Sequence, residues 1–177
     1  MMTSFPVGYR LAQAIGFSGA AWLSGNIAAL SLIAVPAVVE TQKDTTLPSS
    51  VVVKLWWGFY EKGKTQNPPI AAATASAFLY LAWSVRAGGP LFRSAAYNRA
   101  GLYTAAAVLT LGIVPYTILT MRPTNNALIA LAQSLKDLTA ADETRSRDLL
   151  AKWTLLNGIR GLLPLAGAML GMVAAWI

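Results

Sequence analysis

The sequence predicts an all-α fold: an integral membrane four-helix bundle with an extramembrane helical hairpin between the third and fourth spans. Three observations carry this. Of 177 residues, 55% are hydrophobic and only 12% are charged, about half the charged share of a soluble domain. Four apolar stretches each meet or approach the roughly 20 residues that cross a bilayer as a helix. Along three of them small residues recur every fourth position, which lets helix backbones approach closely where lipid-like surfaces offer little drive to associate.

The first span runs from Leu11 to Val39, with no charge before Glu40. It is too long for the apolar region of a secretory signal, and Gly16, Ala20 and Ser24 form its small-residue stripe. The second covers Pro68 to Val85, opened by Pro68 or Pro69, with Ala71 and Ala75 in register. The third covers Ala100 to Met121. The fourth covers Gly158 to Ile177, with Arg160 near its start and a stripe of Gly167, Gly171 and Ala175. Pro36, Pro115 and Pro164 lie within spans. Carbonyls freed by proline inside a membrane must find partners, commonly at a functional cavity.

Residues 1–177 thus form one membrane domain. Its long connections, 40–67 and 122–157, lie on the same side. The second connection reads as helix: Leu128, Leu131, Leu135 and Leu138 make an apolar stripe. Thr139 and Asp142 resemble a capping box, and Leu149, Trp153 and Leu156 carry an apolar face into the fourth span. The other side holds both termini and the short loop Arg86 to Arg99. All seven carboxylates (Glu40, Asp44, Glu61, Asp137, Asp142, Glu143 and Asp148) lie on the long-connection side. So do all 14 basic residues except Arg10, Arg86, Arg93 and Arg99. The total of Lys and Arg places the long connections in the cytosol, whereas the density of basic residues in the short loop points the other way.

The net charge of +7 suits anionic lipid headgroups, and no nucleic-acid-binding pattern accompanies it. Membrane lipid is the expected partner, and the small-residue stripes leave a homo-oligomer open. The chain has no Cys and no His. This excludes disulfides, thiolate nucleophiles and iron–sulfur ligation. It also excludes Ser-His-Asp catalysis and histidine-bound iron. Any chemistry must then use Asp, Glu, Tyr, Lys, Arg, Asn or Ser, or a bound cofactor with no recognisable fingerprint.

Three constellations could carry chemistry. Trp57 and Tyr60, in the run Trp56-Trp57-Gly58-Phe59-Tyr60-Glu61, share a helical face. They read as an interfacial aromatic belt or as a flat wall for a planar ligand. Arg122, Asn125 and Asn126 surround Pro123, where the third span ends. Pro123 stops the helix and one Asn caps the next, while Arg122 alone reads as a snorkelling side chain. Trp153, Asn157 and Arg160 fall on one face at the start of the fourth span, and an ionisable group there is a functional candidate. An Arg beside Asn amides suits one task, stabilising an enolate or phenolate oxygen. The candidate bases are Glu61, Tyr60 and Glu40. Glu61 could equally pair with Lys62 or Lys64, and Glu40 could be a solvated helix end.

Taken together these elements resemble the anthrone oxygenases, small membrane proteins of aromatic polyketide pathways, especially fungal ones. The resemblance covers most of the chain. It rests on Ser24-Gly25, Leu30-Ser31 and Val35-Pro36 in the first span, and on Trp57, Tyr60 and Gly63 at three-residue spacing before Pro68 and Pro69. It continues through Pro123, Asn125, Asn126 and Leu128, and ends on Trp153, Asn157, Arg160, Pro164 and Leu165. The resemblance implies oxidation of an anthrone to an anthraquinone with molecular oxygen as co-substrate, without metal or flavin, in an endomembrane. The expected ligand is a planar aromatic polyketide. In that reading Arg160 and Asn157 stabilise the oxyanion, and Tyr60 or Glu61 moves the proton. Asn125 or Asn126 orients phenolic hydroxyls, Trp57 and Trp153 sandwich the rings, and Arg122 contacts substrate. The alternatives are another polyketide or terpenoid tailoring step, as a cyclase or isomerase, or a non-enzymatic membrane carrier or scaffold.

Overall fold

The computed structural model describes residues 5–45, 47–92, 98–134 and 138–177. Leu135 of the predicted stripe, and the charges Arg93 and Asp137, lie outside them. The described chain is helical throughout: α1 (Val7–Ala29), α2 (Val35–Asp44), α3 (Ser49–Val85), α4 (Arg99–Leu111), α5 (Ile113–Tyr116), α6 (Arg122–Ala132) and α7 (Ala140–Trp176). Two π-helical segments, Leu30–Ala34 and Thr117–Met121, join α1 to α2 and α5 to α6 without a break. Four continuous helices therefore result, Val7–Asp44, Ser49–Val85, Arg99–Ala132 and Ala140–Trp176, each long and apolar enough to cross a membrane. The chain is a multi-pass, all-α membrane protein with the four spans its hydropathy predicts.

The helices are longer than the apolar stretches. Connection 40–67 is mostly helix, and Pro68 and Pro69 sit inside α3 rather than opening it. Each proline removes one backbone hydrogen bond, yet Asn67 and Ala71 beside them are buried. Packing on both sides outweighs a proline cost of about 3 kcal/mol. Likewise Pro123 does not stop the third helix. It lies inside that continuous helix, two residues after the π segment Thr117–Met121, so no new helix begins there and neither Asn125 nor Asn126 is needed as a cap. A 37-residue helix is about 55 Å long at roughly 1.5 Å per residue, well beyond a hydrocarbon core of about 30 Å. The capping box at α7 forms as its spacing predicts. Asp142 N–H donates to Thr139 Oγ1 at 3.2 Å, and Thr139 N–H donates to Asp142 Oδ2 at 3.1 Å.

The chain divides into two compact units, and every one of the four helices contributes to both. The first comprises Met1–Ser24, Asn67–Val114 and Leu162–Ile177. Its core is built around Phe78, which is fully buried. A Cβ on Gly16 would stand 2.7 Å from the Phe78 ring, and one on Gly171 would stand 2.6 Å from it. Tyr103 stacks on the same ring at 6.4 Å. Gly16 and Gly171 are thus spaces for one large side chain. Gly167 brings α7 against α4, since its Cβ would meet the Ala106 carbonyl at 2.9 Å. The second unit comprises Gly25–Gln66 and Pro115–Gly161. Val52, Val53, Trp56, Met121, Leu128, Leu150 and Trp153 form its core, so the two arms of the predicted hairpin, α6 and the start of α7, pack together.

Gly167→Val should lower stability by about 1–3 kcal/mol, because a backbone carbonyl cannot rotate away from the added atoms. Gly101→Ala, in open space on α4, should be neutral or stabilise by up to about 1 kcal/mol. Thermal unfolding in detergent separates the two.

Candidate active site

Four polar side chains of the second unit, Ser31, Thr117, Asn157 and Arg160, meet at the start of the fourth span. Asn157 is fully buried. Its Nδ2 donates to the Ile27 carbonyl at 2.9 Å and to Ser31 Oγ at 2.7 Å. A carbonyl can only accept, so the amide nitrogen must face α1 and Oδ1 must face away from it. Arg160 meets that oxygen, one turn along, with an NH2 donor at 2.7 Å. Its NH1 donates to Thr117 Oγ1 at 2.9 Å. Among the described residues, Arg160 Nε is buried without a hydrogen-bond partner. The guanidinium is therefore held at both terminal nitrogens by neutral oxygens, with part of its donor set uncommitted. Tyr60 and Tyr116 are the ionisable groups within its electrostatic reach.

Beside this chain lies an open cleft of about 380 Å³, lined by Tyr60, Thr117, Ile118, Arg122, Asn125 and Asn126. This is within the range of about 300–1,000 Å³ usual for small-molecule sites. Thr117 belongs to both the cleft wall and the Arg160 contact. Arg122 and Asn126 are exposed at the rim, whereas Asn125 is buried. Asn125 Oδ1 accepts a hydrogen bond from Trp153 Nε1 at 3.0 Å, which fixes the amide at the cleft. An aromatic series backs this wall. Tyr60 stacks on Trp56 at 5.3 Å, and Trp56 meets Trp153 edge to face at 5.7 Å.

The structure thus gathers Tyr60, Arg122, Asn125 and Asn126 into one cleft and ties Trp153, Asn157 and Arg160 to it through hydrogen bonds. Three residues, Glu61, Trp57 and Glu40, fall outside this group. Glu61 faces Lys64 in an exposed ion pair at 3.2 Å, the bland alternative weighed for it. Trp57 is half-buried against the apolar cluster, and its neighbour Trp56 holds the aromatic position against Tyr60. Both i,i+3 and i,i+4 partners share a helical face, so spacing alone could not choose between the two tryptophans. Glu40 is exposed on α2. Among the described residues no three His, Cys, Asp or Glu side chains come together as a metal site would require. The sequence motifs include Trp56 and Ser31 but assign neither a role, and they do not include Thr117. The hydroxyls left one faint signal, a Ser or Thr five or six residues before an in-helix proline.

Comparison with known proteins gives a consistent result. The family model described as anthrone oxygenase matches residues 56–170. The chain is 38% identical to anthrone oxygenase encC of Aspergillus fumigatus over 176 residues, covering 93% of this chain and 92% of the relative. It is 33% identical to an anthrone oxygenase of Claviceps purpurea, covering 89% of this chain and 84% of that one. It is 32% identical to noranthrone monooxygenase of Aspergillus flavus, covering 86% and 67% respectively. No solved structure matches the chain.

Replacing Trp153 by Phe keeps most of the ring packing but leaves Asn125 Oδ1 without its donor. The expected loss is about 1–3 kcal/mol of stability, the cost of an unsatisfied buried acceptor. Thermal unfolding of the purified variant checks this. Trp153→Phe at wild-type stability would mean that the hydrogen bond contributes nothing.

Proposed function

The chain belongs to the anthrone oxygenase family, and on that premise we propose that it oxidises an anthrone of an aromatic polyketide pathway to the corresponding anthraquinone, using molecular oxygen and no metal or flavin. The observation that carries this reading is the Arg160 guanidinium, oriented by Asn157 and Thr117 beside an open cleft whose wall contains no carboxylate.

The substrate's own chemistry makes a cofactor dispensable. Loss of the C10 proton gives a delocalised anthrolate with negative charge on the C9 oxygen. That anion passes one electron to oxygen, and the radical pair recombines as a C10 peroxide. Loss of the second C10 proton with cleavage of the O–O bond gives the quinone. One anthrone and one O2 yield one anthraquinone and one water.

The protein's part is to hold a flat apolar molecule, move the proton and stabilise the oxyanion. Arg160 supplies the positive charge that stabilises the C9 oxyanion, with Asn157 holding the guanidinium in place. Tyr60, the titratable hydroxyl in the cleft wall, moves the C10 proton, a task its position favours over Glu61. Asn125, anchored by Trp153, and Asn126 orient phenolic hydroxyls, while Arg122 meets polar substituents at the rim. Trp56 supports Tyr60 from behind, and the buried Trp153 acts through Asn125 rather than by ring contact, since neither Trp57 nor Trp153 lines the cleft. The absence of Cys and His from the sequence supports the cofactor-free route. The Lys/Arg excess supports a cytosolic position for the long-connection side, in an endomembrane.

In detergent, the purified protein should form quinone from an anthrone faster than the spontaneous rate, with one O2 consumed per quinone. Arg160→Gln should lower kcat by roughly 10²–10³-fold, the usual loss for a preorganised oxyanion donor. Tyr60→Phe should lower it by roughly 10²-fold or more, whereas Glu61→Gln should stay within about twofold of wild type. Full activity in Tyr60→Phe with loss in Glu61→Gln would reverse the assignment of the base. Tight binding without turnover would point to a carrier.

A further inference from the structure

The two π-helical segments share a pattern that the function above does not absorb. Each is followed by one residue and then a proline: Leu30–Ala34 by Val35 and Pro36, and Thr117–Met121 by Arg122 and Pro123. In the first, the Val35 N–H reaches back to the Leu30 carbonyl, one residue further than in an α-helix. A proline has no N–H to offer the preceding turn, and a widened turn accommodates that gap by shifting the register of all preceding side chains. Such π segments occur often at functional sites.

Here each widened turn presents one hydroxyl to the same face of α7. Ser31, in the first, accepts from Asn157 Nδ2 at 2.7 Å, and Thr117, in the second, accepts from Arg160 NH1 at 2.9 Å. Asn157 and Arg160 are themselves joined at 2.7 Å. The result is a continuous chain, Ser31–Asn157–Arg160–Thr117, whose two ends are set by two π segments.

Resting on the function proposed above, we infer that Ser31 and Thr117 are positioning residues for the oxyanion charge, Thr117 directly and Ser31 through the Asn157 amide. A guanidinium bonded at one terminal nitrogen can still swing about that contact, but bonded at both it is fixed in plane. Thr117 supplies the second bond. Ser31 acts with the Ile27 carbonyl, also within hydrogen-bond distance of Asn157 Nδ2, to keep the amide oxygen turned toward Arg160. An interaction that matters only as charge develops on the substrate oxygen changes kcat and leaves ground-state binding alone.

The experiment compares wild type, Thr117→Val, Thr117→Ser and Ser31→Ala as purified proteins with an anthrone under oxygen. Thermal unfolding of each provides a check on folding. Thr117→Val should lower kcat roughly 10–100-fold, the scale of a small misplacement of a catalytic group, with KM within about twofold. Thr117→Ser, which restores the acceptor without the methyl group, should recover most of the loss. Ser31→Ala, the second and independent variant, should lower kcat about tenfold with KM unchanged. An active wild type with kcat unaffected in both Thr117→Val and Ser31→Ala would overturn the positioning role while leaving the oxygenase reading intact. So would a loss in Thr117→Val that Thr117→Ser fails to recover. A wild type no faster than the spontaneous reaction would overturn both.

Discussion

A guanidinium carried into an apolar helix bundle must find acceptors for its N–H groups, because a buried charge left without partners costs several kcal/mol or more. Carboxylates are the usual solution. In this chain Arg160 instead meets two neutral oxygens, Asn157 Oδ1 and Thr117 Oγ1. The rest of the second unit is built to supply them. The Asn157 amide must be oriented, which requires the Ile27 carbonyl and Ser31 on the first helix. Thr117 must face α7, which its place in a widened helical turn provides. Asn125, at the neighbouring wall, is held by Trp153 from the same face of α7.

The choice of neutral partners has a chemical consequence. A carboxylate at bonding distance would neutralise the arginine and leave little field for anything else. Amide and hydroxyl oxygens satisfy part of the donor set while the positive charge remains to act on an anion forming nearby. Preorganised charge of this kind works best where water is scarce and the effective dielectric is low. The same apolar composition that gives the four spans surrounds Asn157 and Arg160 with few competing polar groups. Membrane location and catalytic electrostatics therefore follow from the same composition.

Much of this was legible in the sequence for clear physical reasons. Bilayer thickness fixes the minimum length of an apolar helix, so the four spans were readable, and the Thr139/Asp142 cap follows from local spacing alone. Trp153, Asn157 and Arg160 fall on one face by helical periodicity, and the structure ties all three to the cleft. Other features were not legible. Apolar stretches mark the membrane rather than helix ends, so α3 beginning at Ser49 and running through Pro68 and Pro69 depended on packing. The choice of Trp56 over Trp57 depended on a rotation that hydropathy does not encode. Ser31 and Thr117 read as ordinary hydroxyls in apolar runs because a π turn shifts register by one residue, and only tertiary contacts show what that shift achieves.

The central claim is that the protein makes the anthrone more acidic by giving its enolate oxygen a fixed positive partner. The direct measurement is optical titration of a protein-bound anthrone under argon, where ionisation is visible and oxidation cannot follow. The account predicts that the bound anthrone ionises at lower pH than in detergent alone, by at least about one pH unit, equivalent to about 1.4 kcal/mol. It predicts that most of this shift disappears in Arg160→Gln. A bound anthrone that ionises at the same pH as the free one, or a shift that survives loss of the guanidinium, would contradict it.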